Sequence, residues 1–228
     1  MKVPPTGKPD RRHRRRAETI AEILSVSEEV MAADGVAALN LAEVARRMGL
    51  TPAALYQYFG SKNAVYDALF AAGMADLETV LTEAETGAES DPVAALRASQ
   101  ESVLRWCLHR PVPAQIIFLR PVPGFEPSQE TWASALGQFQ RLREILHRAG
   151  AAGQVRSDGA TDDAMEILAC LASGVLTRQL ANEPAGSIDG GRIARLLPTI
   201  LDMFFTYYAP ATSAPIDTSP PVTSRDGW

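Results

Sequence analysis

Residues 40–62 read NLAEVARRMGLTPAALYQYFGSK, and the placing of caps, glycine and apolar residues in this stretch decides the fold. Asn40 is a helix N-cap residue, and Glu43, three positions on, completes a capping-box-like pair. The short helix that follows, ending at Arg47, turns Leu41, Val44 and Ala45 inward. Met48-Gly49-Leu50 supplies a tight turn, with Gly49 free to take a positive φ. Thr51 caps a second short helix whose first turn holds Pro52, where no amide donor is missed. Leu55 and Phe59, four apart, face the core. Two short helices joined by a glycine turn, the second presenting small and aromatic residues outward, form a helix-turn-helix pattern.

Outward from this stretch the spacing stays helical. Ile20, Ile23, Leu24, Val30 and Met31 recur every three to four residues, which predicts an amphipathic helix stopped at Gly35. A long helix is predicted from Ser61 to about Thr86, carrying Val65, Leu69, Met74, Leu77 and Leu81. Asp91-Pro92 reads as a cap and first turn of a helix that stops before Pro111. Five prolines between 111 and 127 allow only a short helix near Ile116–Leu119. Helices are predicted from Ser128 to Ala149, ended by Gly150 and Gly153, and from Asp162 to about Asn182. The last carries Ile193, Leu196, Leu197, Ile200, Leu201, Phe204 and Tyr208, with a kink or a true start at Pro198. No alternating run marks a strand. The expected class is all-α: a basic, disordered arm over 1–16, a three-helix helix-turn-helix domain over 17–62, a helical domain over 63–209 joined to it by a long helix, and a disordered Pro/Ser/Thr-rich tail over 210–228.

The chain has 228 residues, 46% of them apolar, which suffices for a real core. No uninterrupted apolar run reaches membrane-spanning length, and the charged N-terminus lacks the apolar stretch of a secretory signal. Cys107 and Cys170 make no disulfide framework. A soluble, cytoplasmic protein is the expectation. The net charge of −5 argues against nucleic acid until it is divided along the chain: residues 1–62 carry +3 and residues 63–228 carry −8. All three lysines, Lys2, Lys8 and Lys62, lie in the first part, as do Arg11, Arg12, Arg14, Arg15 and Arg16. A basic end on an acidic body points to a polyanion at that end only.

Gly49, Thr51, Leu55, Tyr56, Tyr58, Phe59 and Lys62 stand where the tetracycline-repressor (TetR) family places its Gly…Ser/Thr…Leu-Tyr-x-[His/Tyr]-Phe-x-x-Lys pattern. Leu41, Val44, Ala45 and Gly35 match as well, so the resemblance covers residues 18–66. The segment from Trp106 to Pro111 is also similar to a Trp-x-x-x-His-Pro-like segment of some members. The resemblance implies that the 51–58 helix lies in the DNA major groove, with Pro52, Ala53, Ala54 and Gln57 nearest the base edges. Proline and alanine sense a thymine methyl, and Gln57 can pair with adenine. Tyr56, Tyr58, Lys62 and Thr51 would hold phosphates, with Asn40 and Arg47 at the same surface. The Arg11–Arg16 run would enter the adjacent minor groove. It further implies a homodimer built from the last two long helices, a palindromic operator, and a repressor released by a small molecule. For a mostly apolar ligand the candidate residues are Trp106, His109, Gln115, Phe118, Phe125, Trp132 and Met165.

Each assignment has a plainer rival. Phe59 reads as core, the arginine run could be a solubilising terminus, Arg46 and Arg47 could be plain surface charge, and the aromatic set could simply fill the core. His13, His109 and His147 lack metal-ligand spacing with cysteine or carboxylate, so no metal or cofactor is expected. No nucleophile elbow, P-loop or dinucleotide fingerprint is present. A helical enzyme, or a helical adaptor without DNA reading, stays as the alternative.

Overall fold

A computed structural model describes residues 11–210 other than Glu89, Ala185 and Asp189; expectations for residues 1–10 and 211–228 lie outside these. Among the described residues the elements are helical throughout. In chain order they are α1 (Arg11–Asp34), α2 (Leu41–Arg47), α3 (Pro52–Tyr56), α4 (Lys62–Glu85), α5 (Pro92–His109), α6 (Pro111–Ala114), α7 (Gln129–Ala151), α8 (Asp162–Asn182) and α9 (Leu197–Tyr207). A π-helical turn, Gln115–Leu119, continues α6.

Local chemistry sets most boundaries. The side chains of Asn40, Thr51, Ser61, Asp91, Ser128 and Thr161 each accept a backbone N–H at the start of a helix, and such caps contribute about 1 kcal/mol apiece. Helix α2 closes with Gly49 at φ 66°, where Gly49 N donates to Arg46 O at 3.2 Å and Leu50 N to Ala45 O at 2.8 Å. That pair of bonds is the Schellman turn, and its left-handed residue is easiest for glycine. Gly150 plays another part than the predicted stop. It lies inside the last turn of α7, where a Cβ would meet the Ala160 side chain at 2.6 Å. The helix ends instead at Gly153, φ 69°. Pro198 sits in the first turn of α9, so the helix starts there and no kink forms.

The arginine run differs from expectation. Arg11–Arg16 form the first turns of α1. Arginine is among the better helix formers, Pro9 lies upstream of the run, and Arg14 pairs with Glu18 one turn on at 3.4 Å.

Two packing units share α4. At its N-terminal end Val65, Tyr66 and Leu69 are buried with Ile23, Val30, Val44, Leu55 and Phe59 of the first three helices and the segment after α3. Further along, Met74 and Leu77 join the body formed with α5 and α7, and Leu81 is buried at its cavity wall. Gly73 lets α6 come close: a Cβ there would lie 2.8 Å from Ile117 Cδ1 and 3.3 Å from Pro113 Cβ. By length and composition α8 is apolar enough to cross a membrane, yet Ala164, Met165, Leu168, Val175 and Leu176 are buried inside the body.

Candidate nucleic-acid interface and internal cavity

Helix α3 is held from one side only. Leu55 is fully buried and Phe59 nearly so, which anchors the helix and the following turn on α1, α2 and α4. Thr51, Pro52, Ala53, Tyr56 and Gln57 are exposed, and Ala54 is half-buried. Tyr56, with 52% of its surface accessible, is an aromatic ring left in solvent, which core packing does not explain. The Thr51 hydroxyl is used by Ala54 N at 3.2 Å, so its capping role is filled while the side chain stays at the surface.

Lys62, Tyr58 and Arg47, expected at phosphates, also have partners within the protein. Lys62 Nζ donates to Ala37 O at 3.0 Å and lies 5.6 Å from the centroid of the Tyr66 ring. Tyr58 is half-buried beneath Arg16, whose guanidinium is 5.0 Å from the ring centroid. Arg47 Nε donates to Glu43 at 2.8 Å, and Arg46 takes both oxygens of the same carboxylate at 2.7 and 2.8 Å. This arrangement corrects the expected capping box. Asn40 does accept from Ala42 N and Glu43 N, at 3.0 and 3.4 Å. The Glu43 carboxylate, however, turns to the two arginines and not back to the Asn40 amide. Two cations outweigh one N–H, and the hydrogen bonds from Arg46 and then Arg47 hold the Glu43 carboxyl down at about 2.

The helical state of Arg11–Arg16 also bears on the minor groove. A helix with side chains is about 10–12 Å across, and the minor groove is about 6 Å wide. In this conformation the arginines suit phosphates and not a groove floor. Arg16 sits at the C-terminal end of α3, its Nη2 3.5 Å from Gln57 O.

In the body, a cavity of about 350 Å³ lies between α4, α5, α7, α8 and the π-helical turn. Of the seven candidate ligand residues it brings together only Phe118 and Trp132. The other five are used elsewhere. Trp106 is buried and reaches toward Gly73 on α4. Phe125 packs against Tyr66 with ring centroids 5.5 Å apart, beside the helix-turn-helix. Met165 is buried within the body, Gln115 accepts the Arg120 amide with its backbone carbonyl, and His109 is exposed with Nδ1 2.7 Å from Arg105 O. The cavity wall instead holds Met74, Gln100, Gln138, Phe139 and the ion pair of Arg141 with Glu85. The signal for these was a few polar residues at helical spacing on otherwise apolar faces. Gln138 and Arg141, flanked by Ala135, Leu142 and Ile145, form such a set on α7.

Among the described residues no three His, Cys, Asp or Glu side chains cluster as metal ligands do. Cys107 is buried, and burial pushes its thiol well above the ordinary range, leaving it protonated and unreactive.

Comparison with known proteins points one way. The family described as bacterial regulatory proteins, tetR family, matches over residues 23–69, from within α1 to the first half of α4. The HTH-type transcriptional regulator Rv1816 of Mycobacterium tuberculosis is 27% identical over 154 residues, 65% of this chain and 63% of that protein. The match thus spans under two thirds of the relative's length. The putative regulatory protein SCO4313 is similar in structure, with a TM-score of 0.63, 25% identity and coverage of 84% of this chain and 97% of that one. The TetR family transcriptional regulator PfmR of Thermus thermophilus shares the fold at a TM-score of 0.62 and 22% identity, covering 81% and 97%. The matched segment coincides with the helix-turn-helix and its buried anchors, and the likeness of fold extends through the helical body. Residues 23–69 thus match the tetR family of bacterial regulatory proteins, and the helical body shares its fold with a solved TetR family structure.

Proposed function

We propose that this protein is a cytoplasmic, homodimeric transcription regulator that reads a palindromic operator and leaves it when a small, mostly apolar molecule fills the cavity in its body. The observation that carries this reading is the exposed face of α3. Pro52, Ala53 and Gln57 are presented by a helix whose other side is locked by Leu55. Gln57 has the donor and acceptor to pair with adenine, and Ala53 and Pro52 sense thymine methyls. Tyr56, Thr51, Asn40 and Lys62 surround this face and serve as phosphate contacts, with Ala54 at its margin; Tyr58 and Arg47 join them once Arg16 and Glu43 yield. Residues 11–62 make up the reading unit, extended from 17 by the helical arginines, and 63–209 the effector and dimer unit.

The dimer is supported by a surface that a monomer has no use for. Ile167 on α8 and Leu196, Met203 and Tyr207 at and along α9 are exposed apolar side chains, and small residues, Cys170 and Gly174, line the same exposed side of α8. Two such helices pair with their twins as a four-helix bundle.

The test is selection from a random duplex pool with the purified protein at fixed salt. Enrichment of one palindrome is the expected result, and its loss of affinity for the Gln57→Ala variant, by about 1–3 kcal/mol at one base pair per half-site, assigns the contact. Recovery of unenriched DNA overturns the reading.

A further inference from the structure

The cavity read above as an effector site contains two arginines in opposite electrostatic situations. Arg141 is saturated: its Nε donates to Glu85 at 3.0 Å, its Nη1 to Glu78 and its Nη2 to Thr82 Oγ1 at 3.0 Å. Two carboxylates on one guanidinium more than cancel its charge, so the cluster does not attract an anion. Arg120 is the reverse. Its guanidinium lies over the Trp132 ring, 5.8 Å from the centroid, and among the described residues no carboxylate pairs with it.

The backbone of Arg120 is as unusual as its charge. Its φ of 47° and ψ of 52° place it in the left-handed region, the one positive φ on a non-glycine among the described residues. It terminates the π-helical turn, and its amide closes that turn on Gln115 O at 3.2 Å. Glycine or asparagine fills such a position at least cost, and π-helical turns and left-handed side-chain residues concentrate at functional sites. Here the cost secures a cation at the cavity wall beside Phe118 and Trp132, both exposed aromatic rings.

We infer that the effector of this protein is an amphipathic anion, its apolar body buried in the cavity between α4, α5, α7 and α8 and its carboxylate or equivalent anionic end held by Arg120 at the Trp132 edge. The inference rests on the cavity being the effector site. Apolar lining supplies affinity for the body of any hydrophobic molecule of suitable size. The unpaired guanidinium then selects the anion from its neutral isostere, by a charge-assisted hydrogen bond beside an aromatic face.

The experiment is titration calorimetry of the full-length protein with decanoate and with 1-decanol, below their aggregation limits, on the wild type, Arg120→Gly and Ala172→Leu. Arg120→Gly removes the cation while suiting the left-handed backbone, so it folds at least as well as the wild type, which a melting curve checks. The expected result is decanoate binding about tenfold tighter than decanol, or ~1.4 kcal/mol, with Arg120→Gly weakening decanoate alone until the two are equal. Ala172→Leu, which fills the cavity wall, is expected to weaken both. Equal affinities in the wild type, or a preference that survives Arg120→Gly, overturn the anion inference and leave the cavity reading in place. Binding of neither probe, or binding of both unaffected by Ala172→Leu, overturns the cavity reading and the inference with it.

Discussion

The Tyr66 hydroxyl donates to the Val36 carbonyl at 2.7 Å, and both residues are buried. The bond spans thirty residues of sequence and fastens the first turns of α4 to the segment that follows α1. It ties the reading unit to the helix it shares with the body. Tyr66→Phe leaves the Val36 oxygen without its donor in an apolar site, at about 1–3 kcal/mol. Thermal unfolding is expected to drop by several degrees with the helical content unchanged; an unaltered transition contradicts the role given to this bond.

Glu43 holds both Arg46 and Arg47, and under the proposed function it competes with DNA for them. Its carboxyl, lowered to about 2 by the two arginines, stays ionised through any pH at which the protein is assayed. Glu43→Gln frees the pair without shortening the side chain. Affinity for non-operator duplex is expected to rise about three- to tenfold, with the dependence of log K on log salt steeper by about one. An unchanged slope shows that neither arginine reaches a phosphate.

Arg110 joins the two units by bonding Glu28 on α1 at 3.1 Å and Asp76 on α4 at 2.8 Å. Burial pushes the Glu28 carboxyl above its ordinary range, outweighing the pull of Arg110. A carboxyl raised by folding contributes fully below its unfolded value, and that contribution is lost as pH rises through the folded one. Wild type is therefore expected to lose melting temperature relative to Glu28→Gln as the pH climbs from about 4 toward neutrality. A wild type that holds level with or gains on Glu28→Gln over this window refutes it.

Met203 has 65% of its surface exposed on α9, among Leu196 and Tyr207. Met203→Asp places a charge where the proposed twin helix packs, and two-fold symmetry places two. Sedimentation at micromolar concentration is expected to show a monomer with an intact melting transition. A persistent dimer moves the interface elsewhere.

The caps and turns of this fold could be read from sequence because each depends on residues within four positions. Asn40, Thr51, Ser61, Asp91 and Ser128 all act as their types dictate. The reading failed where distant or competing partners decide. Nothing in a capping-box spacing says that Arg46 and Arg47 will claim Glu43. A basic run after a proline-rich stretch reads as an arm, although the same arginines are good helix formers. The cavity was least visible. Trp106, Phe125 and Met165 have the composition of a ligand site, but which apolar side chain faces a void and which fills a core depends on how helices remote in sequence are set against each other. Of the cavity lining, Phe118 and Trp132 stand out by residue type, whereas Arg141 and Gln138 stand out only as polar side chains on an apolar helix face.

Helix α4 has one residue that ordinarily acts as a hinge, and it is clamped. Gly73 is wedged against Ile117 and Pro113, so the helix cannot bend there without dislodging α6. No proline interrupts the remaining residues of Lys62–Glu85. The helix thus behaves as a single stiff rod about 36 Å long, with one end set in the reading unit and the other in the cavity wall. A rod that cannot flex converts strain at one end into tilt at the other, and about 5° of tilt over that length moves its tip by about 3 Å. That displacement equals the reach of a hydrogen bond to a base edge, so under the proposed function a molecule too bulky for the resting cavity needs to shift α4 by only a few degrees to unseat α3.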